Sequence, residues 1–333
     1  MIGRKDAEKL LARFAEQKIL VVGDLMLDRY VSGSVSRISP EAPVPVVRVT
    51  REHALPGGAA NVAVNIRSLS GTAHVAGVVG TDRAGDDLLD LLSERQIGTD
   101  GVVRSDSVQT PVKTRVLAER QQVVRVDREG SGEIADSVRD EFSRCVDSLI
   151  GESDGVIIED YGKGSVSAGL TQAVLAKAAD LGVPVGLDPK NNHDLPVKGI
   201  ALATPNYAEA CAAAGLLPKD LSDPPEEDAG LAEAGRILME KWNPDLLIIT
   251  LGPHGMYLLG QDGKPQVIPT RAREVFDVSG AGDTVIGVAM LALTAGASHH
   301  DAAALANYAA GVVVGKVGTA TCAPQELISA VAG

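Results

Sequence analysis

The sequence predicts a doubly wound α/β fold, in which helices cover both faces of a mostly parallel central sheet. Short β-branched runs alternate with helical patterns along most of the 333 residues, as such a fold requires. The runs are apolar throughout, which is typical of strands buried on both faces. Two further segments break the alternation and predict a small separate β-sheet. We therefore expect a three-layer α/β/α sandwich that carries a β-sheet lid.

The order of the elements follows from these patterns. The N-terminal segment is charged and amphipathic, so it predicts a helix and not a signal peptide. Buried strands are predicted at 19–23, 73–79, 155–159, 184–187, 202–204 and 246–251. Helices are predicted near 58–70, 84–96, 135–150, 167–181, 228–241 and 283–297.

Residues 28–49 and 111–127 predict the lid. Both segments alternate polar and apolar side chains, contain arginines and read as hairpin-like strands outside the main sheet. In open α/β sheets the ligand crevice lies outside the carboxyl ends of the strands, and a flap there can exclude water. We expect residues 1–333 to form a single domain into which this lid is inserted.

The charge balance disfavours one class of partner. Lys and Arg number 31 against 44 Asp and Glu, which gives a formal net charge of −13, and only 3% of residues are aromatic. A general nucleic-acid binder would normally present a basic face or a stacking surface, so no nucleic-acid partner is expected. A phosphorylated metabolite remains compatible, because a few local donors suffice to bind it.

Cysteine usage and hydropathy indicate a cytoplasmic location without a membrane partner. Cys145, Cys211 and Cys322 are far apart and odd in number, which favours a reducing compartment. The uncharged stretch 284–300 has an apolar part too short to span a bilayer, so it predicts a buried helix. The two histidines at 299–300 are expected in a solvated loop just before a helix that starts at Asp301.

The strongest chemical signal is Asp277-Val278-Ser279-Gly280-Ala281-Gly282-Asp283-Thr284, which an apolar helix follows at once. The small residues let backbone N–H groups approach a ligand, and a helix N-terminus adds unpaired donors, which favours a site for anionic oxygen. Asp283 can either cap that helix or take a proton from an attacking hydroxyl. No GxxxxGK[ST] occurs and no GxGxxG follows the first strand, so a P-loop and a dinucleotide fold are disfavoured.

Two stretches could face a polyhydroxylated ligand. In LPGGAANVA at 55–63, Gly57 and Gly58 permit close approach and Asn61 can donate and accept, although a simple loop before a helix explains them equally. In GDLMLD at 23–28, Asp24 and Asp28 can each bind sugar hydroxyls at a strand end. The alternative is that both are solvated loop acids.

Two later stretches could face a nucleotide. In TPNYAE at 204–209, Asn206 and Glu209 can form a helix-capping pair, or lie near phosphates and hydrated Mg²⁺. In TLGPHG at 250–255, Thr250, Gly252 and Gly255 can contact a nucleotide phosphate. A hairpin turn is the other interpretation of that stretch.

In this order the five stretches resemble the ribokinase/phosphofructokinase-B (pfkB) family of sugar kinases, from 23–28 to GKVGTATC at 315–322. PGGAANVA at 56–63 and the 277–284 stretch are similar to its two signatures. The resemblance implies a ribokinase-like fold, ATP and Mg²⁺ as cofactors, and a homodimer formed through the lid. Within the family, VSRISPEAPVPV at 35–46 and DYGKG at 160–164 resemble kinases that convert D-glycero-β-D-manno-heptose 7-phosphate to the 1,7-bisphosphate by phosphorylating O1. That product leads to ADP-heptose for lipopolysaccharide.

The resemblance also implies roles position by position. Asp283 matches the catalytic base, and Gly280, Ala281 and Gly282 match the anion hole. The matches to sugar-binding positions are Asp24, Asp28, Gly57, Gly58 and Asn61. The matches to nucleotide-binding positions are Asn206, Glu209, Thr250, Gly252 and Gly255, with Glu209 acting indirectly on Mg²⁺. The matches to stretches that hold a monovalent cation such as K⁺ are Asp277, Ser279 and Gly318.

A 7-phosphate needs a basic pocket, and the candidates are Arg37, Lys163 and Lys190, each in a predicted crevice or lid loop. Because bifunctional relatives carry a second, nucleotidyltransferase domain, a chain ending at Gly333 resembles the monofunctional form. Three alternatives stay open. They are a kinase of this family for fructose 6-phosphate, ribose or a deoxy-sugar acid, a non-catalytic sensor, and a nicotinamide-dependent oxidoreductase, which the missing fingerprint disfavours.

Overall fold

The computed structural model describes residues 2–119, 121–190, 193–222, 224–272 and 275–333. The strands are β1 (Lys18–Gly23), β2 (Leu25–Ile38), β3 (Pro45–Gly58), β4 (Thr72–Gly80), β5 (Gly98–Ser105), β6 (Val112–Ala118), β7 (Gln121–Arg128), β8 (Gly155–Glu159), β9 (Val185–Asp188), β10 (Leu202–Ala203), β11 (Leu246–Thr250), β12 (Met256–Gly260) and β13 (Gln266–Ile268). The α-helices are α1 (Arg4–Phe14), α2 (Ala59–Ser68), α3 (Arg83–Glu94), α4 (Asp136–Ile150), α5 (Ala168–Leu181), α6 (Tyr207–Ala213), α7 (Ala229–Trp242), α8 (Ala281–Thr294), α9 (His299–Val314) and α10 (Pro324–Ala332).

The central sheet has the strand order β13-β12-β11-β10-β9-β8-β1-β4-β5 within the described ranges. From β11 to β5 every neighbouring pair is parallel, whereas β12 and β13 extend one edge antiparallel. The carboxyl ends of the parallel strands therefore meet along one edge, where the chemistry-bearing loops also emerge.

Two hydrophobic cores cover the two faces of this sheet. Ile19 and Val21 of β1 pack with residues of α1, α2, α8 and α9, whereas Leu20 and Val22 pack with residues of α4, α5 and α7. Because successive side chains of a strand point to opposite faces, a continuous apolar run is what a double-sided core demands. The predicted three-layer, ribokinase-like arrangement is confirmed.

A second, four-stranded sheet has the order β3-β2-β6-β7 and is called the lid here. Strand β2 pairs antiparallel with β3 and parallel with β6. It begins at Leu25, directly after β1, and β3 ends at Gly58, directly before α2. The separate small sheet is confirmed, and β2 and β3 extend beyond the predicted 28–49 because their bases enter the core.

Several elements escaped prediction, namely β5, β12, β13, α6 and α10. Of α9 only a start at Asp301 was expected, because an alanine-rich helix gives little contrast between its faces. The histidines expected in a solvated loop are instead the first two residues of α9, where the side chain of Ser298 caps the helix by accepting from the Asp301 N–H. No helix within the described ranges is both long and apolar enough to cross a membrane.

Candidate active site

Asp283 lies in the first turn of α8, at the carboxyl edge of the central sheet, with 4% of its surface exposed. Nδ2 of Asn61 donates to its Oδ2 at 2.6 Å, and the hydroxyl of Tyr161 donates to its Oδ1 at 2.7 Å. The capping interpretation of Asp283 is wrong, because the helix is preceded by Gly280 as the cap residue. Its carboxylate is therefore held by side chains of two other elements and not by the turn it follows.

Burial raises the pKa of Asp283, and the charge of Asp28 acts in the same direction. The hydrogen bonds from Asn61 and Tyr161 oppose that rise because they stabilise the carboxylate, and Lys113 does so by charge. Burial also raises the pKa of Tyr161 well above its usual value, so the phenol remains an O–H donor. A buried carboxylate held by neutral donors suits a group that must accept a proton.

The turn before α8 requires glycine at one position. Gly280 has φ 78°, and a Cβ placed there would lie 2.7 Å from Nδ2 of Asn61. The N–H of Ala281 donates to the carbonyl of Val278 at 3.2 Å. Of the three predicted anion-hole residues, Ala281 thus already uses its backbone N–H for a hydrogen bond within the turn. Gly282 instead lies in the first turn of the helix, where backbone N–H groups have no partner within the helix.

Asp24 was predicted to bind sugar hydroxyls, but the structure shows it engaged with the backbone. It is 1% exposed, and its carboxylate accepts N–H bonds from Tyr161 at 3.0 Å, Lys163 at 2.9 Å and Ser165 at 2.9 Å. Its own carbonyl accepts from the N–H of Ala59 at 3.1 Å. Asp24 therefore fixes the loop that carries Tyr161.

Asp28 lies on lid strand β2, where Nη1 of Arg115 donates to its Oδ1 at 2.6 Å. The pair is almost buried, with side-chain exposures of 6% and 13%. A Cβ on Gly57 would lie 2.8 Å from Oδ2 of Asp28, so the predicted glycine leaves room for that carboxylate. Gly58 has φ 59°, and a Cβ there would lie 2.5 Å from the carbonyl of Asp24. The structure thus brings Asp28, Gly57, Gly58 and Asn61 into one region, as predicted.

Two further acids, the buried Glu159 and the half-buried Asp188, accompany Asp283. Glu159 and Asp188 end the neighbouring strands β8 and β9, and oxygens of these two acids and of Asp283 lie within 4.8 Å of one another. Oε2 of Glu159 is buried and meets no hydrogen-bond donor in the described part of the chain. Burial raises the pKa of Glu159 and of Asp188 strongly, and the charge of Glu209 adds to the effect on Asp188. Such a donor set fits a hard divalent cation.

Asn206 and Glu209 form a reciprocal capping box on α6. Oδ1 of Asn206 accepts from the N–H of Glu209 at 3.0 Å, and Oε2 of Glu209 accepts from the N–H of Asn206 at 2.9 Å. The capping interpretation is therefore confirmed. Burial nevertheless raises the pKa of Glu209, and Lys190 opposes this by charge. The carboxylate thus lies at a helix start and acts by charge on Asp188.

Thr250, Gly252 and Gly255 lie at the connection between β11 and β12, whose antiparallel pairing confirms the hairpin interpretation. Thr250 also bridges to Asn206, which brings two predicted nucleotide contacts together. Gly255 has φ 93°, and a Cβ there would overlap the carbonyl of Ile268.

The three residues predicted to hold a monovalent cation are connected by one carboxylate. Asp277 accepts from the N–H of Ser279 at 2.9 Å and from the N–H of Gly318 at 3.1 Å. The loops at 277–279 and 318 are thus brought together, as the resemblance implied.

The three basic candidates do not form one cluster, because Arg37 lies apart from Lys163 and Lys190. Arg37 is exposed near the distal end of β2, whereas Nζ of Lys163 is paired with Oε2 of Glu129 at 2.7 Å. Nζ of Lys190 lies 5.7 Å from the ring centroid of Tyr161. Only Lys190 of the three thus lies against the partner of Asp283.

Sequence reasoning missed several residues of the site, among them Tyr161, Lys113, Arg115, Glu159 and Asp188. DYGKG is similar to the family, and its position at the end of a predicted strand was the signal available for Tyr161, the second residue after that strand. A cleft of about 930 Å³ between residues 270–272, Phe276, α9 and α10 was also missed. Its lining includes Thr270, Tyr308 and Gly311, and the guanidinium of Arg271 lies 5.3 Å from the ring centroid of Tyr308.

Comparison with solved structures shows a shared fold. The chain resembles a phosphofructokinase-2 from Escherichia coli solved with substrates and products, with a TM-score of 0.75, 21% identity and coverage of 95% of this chain and 98% of the other. It also resembles a ribokinase from Arabidopsis thaliana complexed with ribose and ATP, with a TM-score of 0.69, 19% identity and the same coverage.

Sequence comparison gives much higher identity. The bifunctional protein HldE of Geobacter sulfurreducens is 45% identical over 98% of this chain, and that of Vibrio cholerae is 42% identical over 97%. This chain spans 65% of the length of each. Residues 16–326 match the family described as "pfkB family carbohydrate kinase". With the fold, this match shows that the chain belongs to the pfkB family of carbohydrate kinases and is a phosphotransferase.

Proposed function

We propose that this kinase transfers the γ-phosphoryl group of ATP to O1 of D-glycero-β-D-manno-heptose 7-phosphate, giving the 1,7-bisphosphate. The observation that carries the chemistry is Asp283, a buried carboxylate held by Asn61 and Tyr161 at the carboxyl edge of the sheet. The choice of acceptor is supported by the resemblance of 35–46 and 160–164 and by the similarity to HldE proteins. ADP-heptose synthesis for lipopolysaccharide, in the cytoplasm, is the corresponding proposed setting.

The proposed mechanism depends on positioning and charge stabilisation, because the transition state of phosphoryl transfer is loose. Asp283 accepts the O1 proton as the phosphoryl group arrives in line. Backbone N–H groups at Gly280 and Gly282 stabilise its equatorial oxygens, and one such donor contributes about 3–4 kcal/mol. Asp28 and Asn61 orient the sugar under the lid.

The nucleotide is proposed to lie along Asn206, Thr250, Gly252 and Gly255, with its base toward the 930 Å³ cleft. Asp188 and Glu209 are proposed to hold Mg²⁺, Glu209 indirectly, because partly buried acids with raised pKa values gain from a nearby cation. Bound there, Mg²⁺ would neutralise charge on the phosphates of ATP. The Asp277 region is the proposed site for K⁺.

We further propose that residues 1–333 form one domain and that the lid pairs two copies of the chain. Several valines and one isoleucine of the lid segments are solvent-exposed, among them Ile38 at 60% and Val126 at 55%. Several exposed apolar side chains on one small sheet favour a partner of similar composition. Light scattering of the intact chain and of a variant with Ile38→Lys and Val126→Lys tests this pairing.

ADP production by the purified protein with Mg-ATP tests the activity. The acceptors are heptose 7-phosphate, fructose 6-phosphate, ribose and no sugar, with ³¹P NMR of the product and Asp283→Asn as the control for contaminating kinases. A heptose-dependent signal with a new anomeric phosphate supports the proposal. Turnover with another sugar alone would replace the acceptor, and no turnover with any sugar would refute the proposal.

A further inference from the structure

Two lysines lie close to the ring of Tyr161, whose hydroxyl donates to Asp283. Nζ of Lys113 lies 5.1 Å from the ring centroid, and Nζ of Lys190 lies 5.7 Å from it. Lys113 belongs to lid strand β6, whereas Lys190 follows strand β9 of the central sheet. Lid and sheet therefore each bring one ammonium group to the same aromatic side chain.

Neither ammonium forms an ion pair with a carboxylate in the described ranges of the chain, although neighbouring cations do. Arg115 is paired with Asp28 at 2.6 Å, and Lys163 is paired with Glu129 at 2.7 Å. Lys113 and Asp28 are register partners on adjacent lid strands, yet the carboxylate of Asp28 is already taken by Arg115. Within the described residues the two lysines thus have no carboxylate at ion-pairing distance, although Lys190 acts by charge on Glu209.

The surroundings of Lys113 also disfavour its positive charge. Burial lowers the pKa of its ammonium group, and three neighbouring cations lower it further, against the opposing charge of Asp28. A partly buried cation beside other cations is stabilised when an anion binds next to it. Because Lys113 lies beside Asp28 on the lid, that anion would enter on the acceptor side of Asp283.

We propose that Lys113 and Lys190 bind the phosphate group that the acceptor already carries, and so make the kinase selective for phosphorylated sugars. This inference rests on the proposed function, since it needs a sugar phosphate as acceptor. Lysine ammonium groups are compact point charges that can approach a phosphate from two sides. Of the three basic candidates from the sequence, Lys190 is retained, and Lys113 replaces Arg37 and Lys163.

The test compares kcat/KM for heptose 7-phosphate with kcat/KM for the same heptose without phosphate. In Lys113→Met and in Lys190→Met, the preference for the phosphorylated acceptor should fall by about ten- to a hundredfold, the usual value of a charged hydrogen bond. KM for ATP should stay unchanged. Lys177→Met, which removes an exposed lysine of α5 paired with Asp147, should retain the wild-type preference. Circular dichroism checks that each variant is folded.

A second arm does not depend on the identity of the sugar. Inorganic phosphate is titrated calorimetrically into the protein with Mg²⁺ and a non-hydrolysable ATP analogue present, so that the nucleotide side is occupied. The double variant with Lys113→Met and Lys190→Met should bind phosphate at least tenfold more weakly than wild type and Lys177→Met.

The outcomes separate the two proposals. Suppose that wild type uses heptose 7-phosphate, but that either single variant keeps the full preference for the phosphorylated acceptor or raises KM for ATP instead. The proposed role of the two lysines is then wrong, and the proposed function stands. If wild type does not use heptose 7-phosphate, the proposed function fails, and the phosphate titration alone decides on the lysines. Equal phosphate binding by wild type and double variant overturns the inference in every case.

Discussion

Replacing Tyr161 with phenylalanine should move the acid limb of the pH–rate profile to higher pH. The base must be a carboxylate, so turnover is present above the pKa of Asp283 and is lost as the pH falls through it. Burial already raises that pKa, and the Tyr161 hydroxyl at 2.7 Å holds it down by donating to Oδ1. Tyr161→Phe removes this donor and keeps the aromatic ring near the two lysines.

A hydrogen bond to a charged group contributes about 1.5–3 kcal/mol, which corresponds to about one to two pH units of displacement. The assay is kcat against pH at saturating acceptor and Mg-ATP, for wild type and Tyr161→Phe. Tyr257→Phe serves as the control, because Tyr257 is a core residue of β12. An acid limb that stays in place, or a drop of equal size at every pH, would refute the reasoning.

Three further changes test other parts of the site. Asp283→Asn should lower kcat by about 10²–10⁴-fold while the affinity for an ATP analogue, measured by calorimetry, stays close to wild type; near-normal kcat would contradict its role as base. Gly280→Ala should cost about 1–2 kcal/mol of backbone strain and displace Asn61, so both thermal stability and kcat should fall, and an unchanged melting temperature would count against the turn geometry. Asp24→Ala should cost about 1–3 kcal/mol for each backbone donor left buried without a partner and make the loop around Tyr161 sensitive to limited proteolysis, whereas wild-type protection would show that Asp24 does not fix this loop.

The fold was predictable because its signal is local. Because alternate residues of a strand such as β1 enter different cores, the strand must be apolar at every position. That requirement can be read from five consecutive residues of the sequence. Asp283 was predictable for a related reason, since its glycine-rich turn and helix are contiguous in the sequence. Strand β5 lies at a sheet edge and mixes polar and glycine residues, so the same reasoning missed it.

The partners of Asp283 were less predictable because long-range contacts place them. Asn61 lies 222 residues away along the chain and Tyr161 lies 122 residues away. Asp24 is the opposite case, a predicted ligand-binding residue that long-range contacts assign to the backbone. An acid directly after a strand suggests a binding residue, but in the folded chain its carboxylate accepts hydrogen bonds from backbone amides. Glu159 and Asp188 are single letters at strand ends, and only the parallel register of β8 and β9 makes them neighbours.

The lid carries residues proposed for acceptor binding and residues proposed for pairing of two copies. Asp28 and Lys113 lie on β2 and β6, and exposed apolar residues such as Ile38 lie farther along the lid. If two copies pair through that sheet, the free energy of pairing and the free energy of acceptor binding become thermodynamically linked, and the linkage must be reciprocal. Whatever factor the acceptor adds to dimer affinity, the dimer adds to acceptor affinity, so the apparent affinity for sugar should rise with protein concentration.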